Sequence, residues 1–230
     1  MDAILISPKD ASGCSKAIQE ATEAGIPVIV LDRNTTYKQY AAFIGADNRL
    51  IGEAAGKHAV ELLGGPGNAR GTIYEVCGSL ASTPGQERRD GFHSVVEKEP
   101  GIHILGGLDG DWKLDKSKAI VQDALQVHRN IDLIYAHNDP MAYGAYQAAR
   151  DAGVEGRIHF LGIDGLPNEG AVWVKTGILD ATFLYPTPGE KGLEIAMDII
   201  QGRKQIQTGE IILLPTATIT RANVDGFLDE

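Results

Sequence analysis

The chain has 230 residues, 43% of them hydrophobic and 23% charged, and a formal net charge of −10. It can bury a sizeable core and sits between one large domain and two small ones. The acidic balance argues against nucleic acid or an anionic membrane as partner, because phosphate binding draws on clustered Lys and Arg, and no apolar run is long enough for direct membrane insertion.

The first residues, Met1 and Asp2, run straight into an Ala-Ile-Leu-Ile strand without the basic and apolar leader of a signal peptide. A start inside a core strand is what a chain cut part-way through its first domain would show. From there, apolar runs of strand length alternate with amphipathic stretches. Strands are expected at Ala3–Ser7, Pro27–Asp32, Thr72–Val76, Ile102–Leu108, Leu133–Asn138, Ile158–Asp164 and Ala181–Tyr185. The helical patterns between them cover Gly13–Ala24, Arg49–Leu63, Gln86–Glu97, Lys116–His128, Pro140–Ala152, Asn168–Thr176 and Glu190–Gln201. Most of the strands are apolar on consecutive positions, which suits parallel strands covered on both faces. Such alternation predicts a doubly wound parallel α/β architecture.

The rhythm pauses at Tyr37–Asn48 and again near Thr187–Gly189, and the tail carries Ile211–Leu214 and Thr216–Ile219 with no helix between them. These breaks predict two α/β lobes joined by several crossings: 1–46 plus 186–215, and 47–185 plus 216–230. Cys14 and Cys77 are too few for a disulfide framework and lack metal-type spacing. Each lies beside apolar residues, so two separate buried thiols are expected, whose redox state the sequence leaves open.

In open parallel sheets, ligands bind beyond the carboxyl ends of the strands. The candidates there are Ser7, Asp32, Arg33, Asn138, Asp139, Asp164 and Tyr185, with Arg88 and Trp112 added from loops entering helices. Carboxylates accept hydroxyl protons, Asn donates and accepts, Arg offers a planar fork of donors, and Trp presents a face to the C–H side of a sugar ring. Polyols need that mixture, since each buried unpaired hydroxyl costs about 1–3 kcal/mol. Plainer readings stand beside these: Asp32-Arg33 as a solvated pair, Asp164-Gly165 as a turn, Asn138-Asp139 as a helix cap before Pro140, and Trp112 as packing. For Asp139 the cap outweighs ligand contact.

Enzyme signatures are weak. Gly64-Gly65-Pro66-Gly67 lacks the Lys-Ser/Thr of a phosphate loop and reads as a helix-to-strand turn. Gly78-Ser79-Leu80-Ala81-Ser82 is no nucleophile elbow, the six histidines are scattered, and nothing in the spacing favours Asp32 with Asp164 as an acid/base pair. No cofactor or metal and no enzymatic activity are expected.

Several segments in order carry a resemblance: Ile26-Pro27-Val28 leading to Leu31-Asp32-Arg33, Gly45-Ala46-Asp47-Asn48, Glu87-Arg88-Arg89-Asp90-Gly91-Phe92, Gly110-Asp111-Trp112, Ala136-His137-Asn138-Asp139-Pro140-Met141-Ala142-Tyr143-Gly144-Ala145 and Leu161-Gly162-Ile163-Asp164-Gly165. The chain resembles the type I periplasmic sugar-binding proteins of ABC importers, the ribose- and galactofuranose-binding kind. The resemblance implies two lobes joined by a hinge, the first incomplete here, with a monosaccharide in the cleft between them. It implies sugar hydrogen bonds from Asp32, Arg33, Arg88, Asn138 and Asp164 and stacking by Trp112. Tyr185 falls where ribose-type relatives often carry Gln, and Ser7 where they often carry Asn, so the particular sugar stays open. The expected partners are the sugar and an ABC permease, the expected state a monomer, and the expected location periplasmic or extracellular. The effector domain of a LacI-type regulator and the ectodomain of a sugar sensor share this fold and are the alternatives.

Overall fold

A computed structural model describes residues 1–205 and 207–228. The chain opens with β1 (Ile4–Ile6), α1 (Ser15–Glu23) and β2 (Val28–Leu31). Next comes β3 (Ala42–Gly45), a strand inside the stretch expected to interrupt the rhythm. Its four residues are all buried and three of them pair in parallel with β2, so the interruption is a missing helix and not a missing strand. The polar approach and the closing Gly45 hide it from an apolar-run reading. Then follow α2 (Asn48–Leu62), β4 (Arg70–Cys77), α3 (Thr83–Val96), β5 (Gly101–Asp109), α4 (Leu114–Val127) and β6 (Leu133–Ala136). The chain continues with α5 (Asp139–Asp151), β7 (His159–Leu161), α6 (Gly170–Thr176), β8 (Ala181–Phe183), α7 (Gly189–Ile200), β9 (Glu210–Leu213) and β10 (Thr218–Thr220).

These elements make two sheets, in the orders β1-β2-β3-β9 and β10-β8-β7-β6-β4-β5. The first is wholly parallel, and the second is parallel except for β10, which runs antiparallel to β8. Two compact units result. One contains 1–47, 81–84 and 186–215, the other 48–80, 85–185 and 216–230.

In the first unit the period-two alternation of a strand divides the core. Val28, Val30 and Phe43 pack with Ile18 of α1 and with Tyr40, while Ile29, Ala42 and Ile44 pack with Ile195 and Ala196 of α7. Each fully buried Ile or Val contributes roughly 1.5–3 kcal/mol. The second unit buries a larger cluster, in which Val76, Ile134 and Phe160 meet Val121 of α4 and Met141, Ala145 and Ala148 of α5. Both cysteines are free; Cys77 is buried as expected, but Cys14 is only half-buried, because it sits at the exposed start of α1. Among the described residues, no helix is long and apolar enough to cross a membrane.

Candidate functional site

The carboxyl end of the second sheet gathers Arg88, Trp112, Asn138, Asp164 and Tyr185. Asp164 follows β7 and Tyr185 follows β8; the Asp164 amide donates to the Phe183 carbonyl and the Tyr185 amide to the Asp164 carbonyl, which sets the two side by side. Asn138 ends the β6 run and caps α5: its Oδ1 accepts from the Met141 amide at 3.0 Å, and its Nδ2 donates to the Trp112 carbonyl at 3.3 Å. Arg88 lies inside α3, within the helix expected at Gln86–Glu97 and not in the loop entering it; Trp112 does sit in the loop before α4. Helical placement sends the Arg88 side chain inward, where it is only 3% exposed.

Arg88 is the hub of the cluster. Its Nε donates to Asn48 Oδ1 at 2.9 Å, its Nη1 donates to the His137 carbonyl, and Nη1 lies 4.0 Å from Asp164 Oδ1. Its guanidinium carbon is 4.9 Å from the centre of the Tyr185 ring and 5.5 Å from that of Trp112. Aromatic faces attract such a cation, by about 2 kcal/mol or more where water is excluded. Room for the indole is made by Gly78, at which any side chain would collide with the Trp112 ring.

A polar layer supports the hub from behind. Glu75, wholly buried on β4, accepts from or pairs with His137 Nε2 and His93 Nε2, each at 3.0 Å, and His93 Nδ1 meets Glu97 at 2.8 Å. Burial opposes ionisation of Glu75, but the two imidazoles outweigh it and bring the carboxyl down from 4.5 to about 2. The bond to Glu75 raises the His93 value, whereas burial lowers that of His137. Glu75, Cys77 and His137 offer donor atoms within 4.8 Å of one another, the residue types of a metal site. Burial holds the Cys77 thiol protonated, far above its ordinary range, and the carboxylate is already engaged by histidine. The cluster lies directly behind Arg88, whose Nη1 donates to the carbonyl of His137.

Asp139 is not the cap of α5, because Asn138 is. Its carboxylate is buried, accepts from the Gly165 amide and Thr182 Oγ1 at 2.7 Å each, and is raised by burial to about 6. It ties the loop that carries Asp164 to α5.

The first unit carries the other three candidates. Ser7 Oγ donates to Asp32 Oδ2 at 3.3 Å, Arg33 Nε lies 3.5 Å from the same oxygen, and Arg33 Nη1 donates to the Lys9 carbonyl at 3.4 Å. This is a half-exposed charge pair at the end of β2. Backbone strain marks both clusters. Among the described residues, Asp32, Asp111, Trp112 and Asp164 are the non-glycine residues with positive φ, at 63°, 51°, 63° and 137°. Three of them are candidates, and such conformations, costing about 1–3 kcal/mol each, concentrate where a ligand is held.

A family model for the periplasmic binding protein domain matches residues 1–204. The chain belongs to this family. It is 32% identical over 203 residues to the ribose import binding protein of Salmonella typhimurium, spanning 87% of this chain and 66% of that relative. The galactofuranose-binding protein of Escherichia coli is 34% identical over 177 residues, 73% of this chain and 54% of its own length. The chain thus spans about two thirds or less of the length of these curated relatives. Among solved structures, the fructose-binding periplasmic domain of a hybrid two-component system matches with a TM-score of 0.92 and 38% identity, covering 99% of this chain and 74% of that one. A galactofuranose-binding protein matches with a TM-score of 0.91 and 26% identity, covering 100% and 78%. The periplasmic binding protein fold of type I, with two parallel-sheet units, is therefore the architecture of this chain.

Asn48, Glu75 and His93 escaped the sequence reading. Glu75 left a signal, a lone carboxylate inside an apolar strand. Asn48 stood only at the end of the Gly45–Asn48 segment of the resemblance, with nothing to mark its partner Arg88 forty residues away.

Proposed function

We propose that the protein captures a monosaccharide or cyclic polyol, without making or breaking a bond. The observation that carries this reading is the Arg88 cluster: a buried guanidinium between two aromatic rings, with Asp164 and Asn138 at adjoining strand ends. Ring faces suit the C–H side of a sugar, and the carboxylate, amide and guanidinium suit its hydroxyls. Ser7, Asp32 and Arg33 supply the same chemistry from the first unit. The Arg–Asp pairing in each cluster balances charge and so favours an uncharged ligand. Relatives named for ribose and galactofuranose support the same class.

Within this proposal the protein acts in the periplasm or outside the cell as a monomer and hands its ligand to an ABC permease. One observation favours a second reading, sugar sensing: the 38% identity to a fructose-binding domain of a two-component system. The binding chemistry is the same in both readings.

Thermal unfolding with D-ribose, D-fructose, D-allose, D-galactose and myo-inositol tests the proposal. A ligand of the native state at a hundredfold excess over its Kd adds about 2.7 kcal/mol, so at least one compound should raise the melting point. Saturating shifts with none of the five at millimolar concentration would contradict it. An uptake defect for the sugar in a strain lacking this protein would separate the transport reading from sensing, which would instead alter phosphorylation of a kinase.

A further inference from the structure

The helices α2 and α3 touch backbone to backbone. A side chain at Gly52 would collide with the Arg88 carbonyl, and one at Gly91 with the Arg49 carbonyl. Glycine at these contacts brings Asn48, the first residue of α2, against the second turn of α3. There Asn48 Oδ1 accepts from Arg88 Nε at 2.9 Å, and the two residues are 2% and 3% exposed. A guanidinium held at one nitrogen can still pivot about that bond. Held at Nε by Asn48 and at Nη1 by the His137 carbonyl, it has a fixed plane, with the Trp112 and Tyr185 rings against it.

We infer that Asn48 is a positioning residue for ligand capture, acting through Arg88 by fixing the plane of its guanidinium. The inference rests on the sugar-binding reading above. The role needs an acceptor oxygen at this place, which Asp keeps and Ala loses. An orphaned Nε–H would leave the guanidinium to reorient in search of another acceptor, and the fork offered to the ligand would turn with it. The bond also sits where the chain enters the second unit, at Asp47–Asn48, so the start of α2 and the arginine are set by one contact.

Calorimetric titration with the sugar of the panel that binds the unmutated chain most tightly, together with the Arg88 Nε–H resonance of the ligand-free protein, tests the inference. The resonance is identified by its loss in Arg88→Lys. In the unmutated protein it should exchange slowly with water. Asn48→Ala should bind at least tenfold more weakly and show fast Nε–H exchange, while Asn48→Asp should stay within about threefold in affinity and keep the slow resonance. Asn48→Ala binding within twofold of the unmutated chain would overturn the inference. So would weak binding by both variants with a slow Nε–H in each, since that is a structural defect bypassing Arg88. Should Asn48→Ala fail to fold, a fast-exchanging Nε–H in the unmutated protein would overturn the inference, and a slow one with Asn48→Asp binding normally would support it. No binding by the unmutated chain to any panel sugar would instead overturn the functional reading.

Discussion

The two units solve the same polar problem at different depths. In the first, Ser7, Asp32 and Arg33 form a half-exposed cluster at one strand end, where Arg33 also bonds the Lys9 carbonyl. In the second, Arg88 is almost wholly buried, and behind it lies a second layer of Glu75, His93 and His137. The contrast teaches that polar groups can be read as a binding surface at either depth, and that the cost of burial is greatest for the deep cluster. A buried guanidinium left without acceptors costs several kcal/mol, so the fold has surrounded it with carbonyl, amide, carboxylate and rings. The shallow pair keeps part of its surface in water, which lowers the cost of holding its charges.

The comparison breaks if the two arginines respond alike. Arg88→Ala should lower sugar affinity roughly a thousandfold, the result of removing one partner from a buried charged set, whereas Arg33→Ala should cost roughly tenfold. Parallel titrations of the two variants check this, and equal losses would contradict it.

The second layer makes its own prediction. Glu75 titrates at about 2 in the folded chain against an ordinary 4.5, so its stabilisation is complete above 4.5 and is lost as pH falls towards 2. His137, kept neutral by burial, also weakens the fold as pH drops below 6.5, while the raised His93 acts oppositely, stabilising below 6.5 and losing its effect as pH rises through its folded value. The Glu75 difference is worth about 3 kcal/mol. Denaturant melts of Glu75→Gln should show lower stability at pH 7 and a flattened acid limb; an unchanged acid limb would remove Glu75 from the account.

Smaller effects sharpen the picture. Gly78→Ala should displace the Trp112 indole, costing about 1–3 kcal/mol of stability and weakening sugar binding, with a change in tryptophan fluorescence as the readout. Asp32→Gly should do the reverse for stability. Relief of its left-handed backbone should gain about 1 kcal/mol while affinity falls, a trade expected only at a residue held strained for a ligand.

The strand ends were legible because a polar residue closing an apolar run announces itself: Asp32, Asn138 and Asp164 all do so. The strand-helix alternation was legible for the same reason, apart from Ala42–Gly45, whose short run is bordered by polar residues and ends in glycine. The support of Arg88 was not legible. Asn48 and Glu75 reach their partners across forty and sixty-two positions, and only folding brings them together. The role of Asp139 was misread for a related reason, since its partners Gly165 and Thr182 stand on later strands and loops.

The most direct test of the central claim is a nitrogen–proton spectrum of the chain titrated with a panel sugar that raises its melting point. The Arg88 cluster as the capture surface predicts that the largest, saturable shifts fall on the Trp112 indole, the Arg88 guanidinium and the Asn138 amide. Shifts that leave these three unmoved and cluster elsewhere in the chain would contradict it.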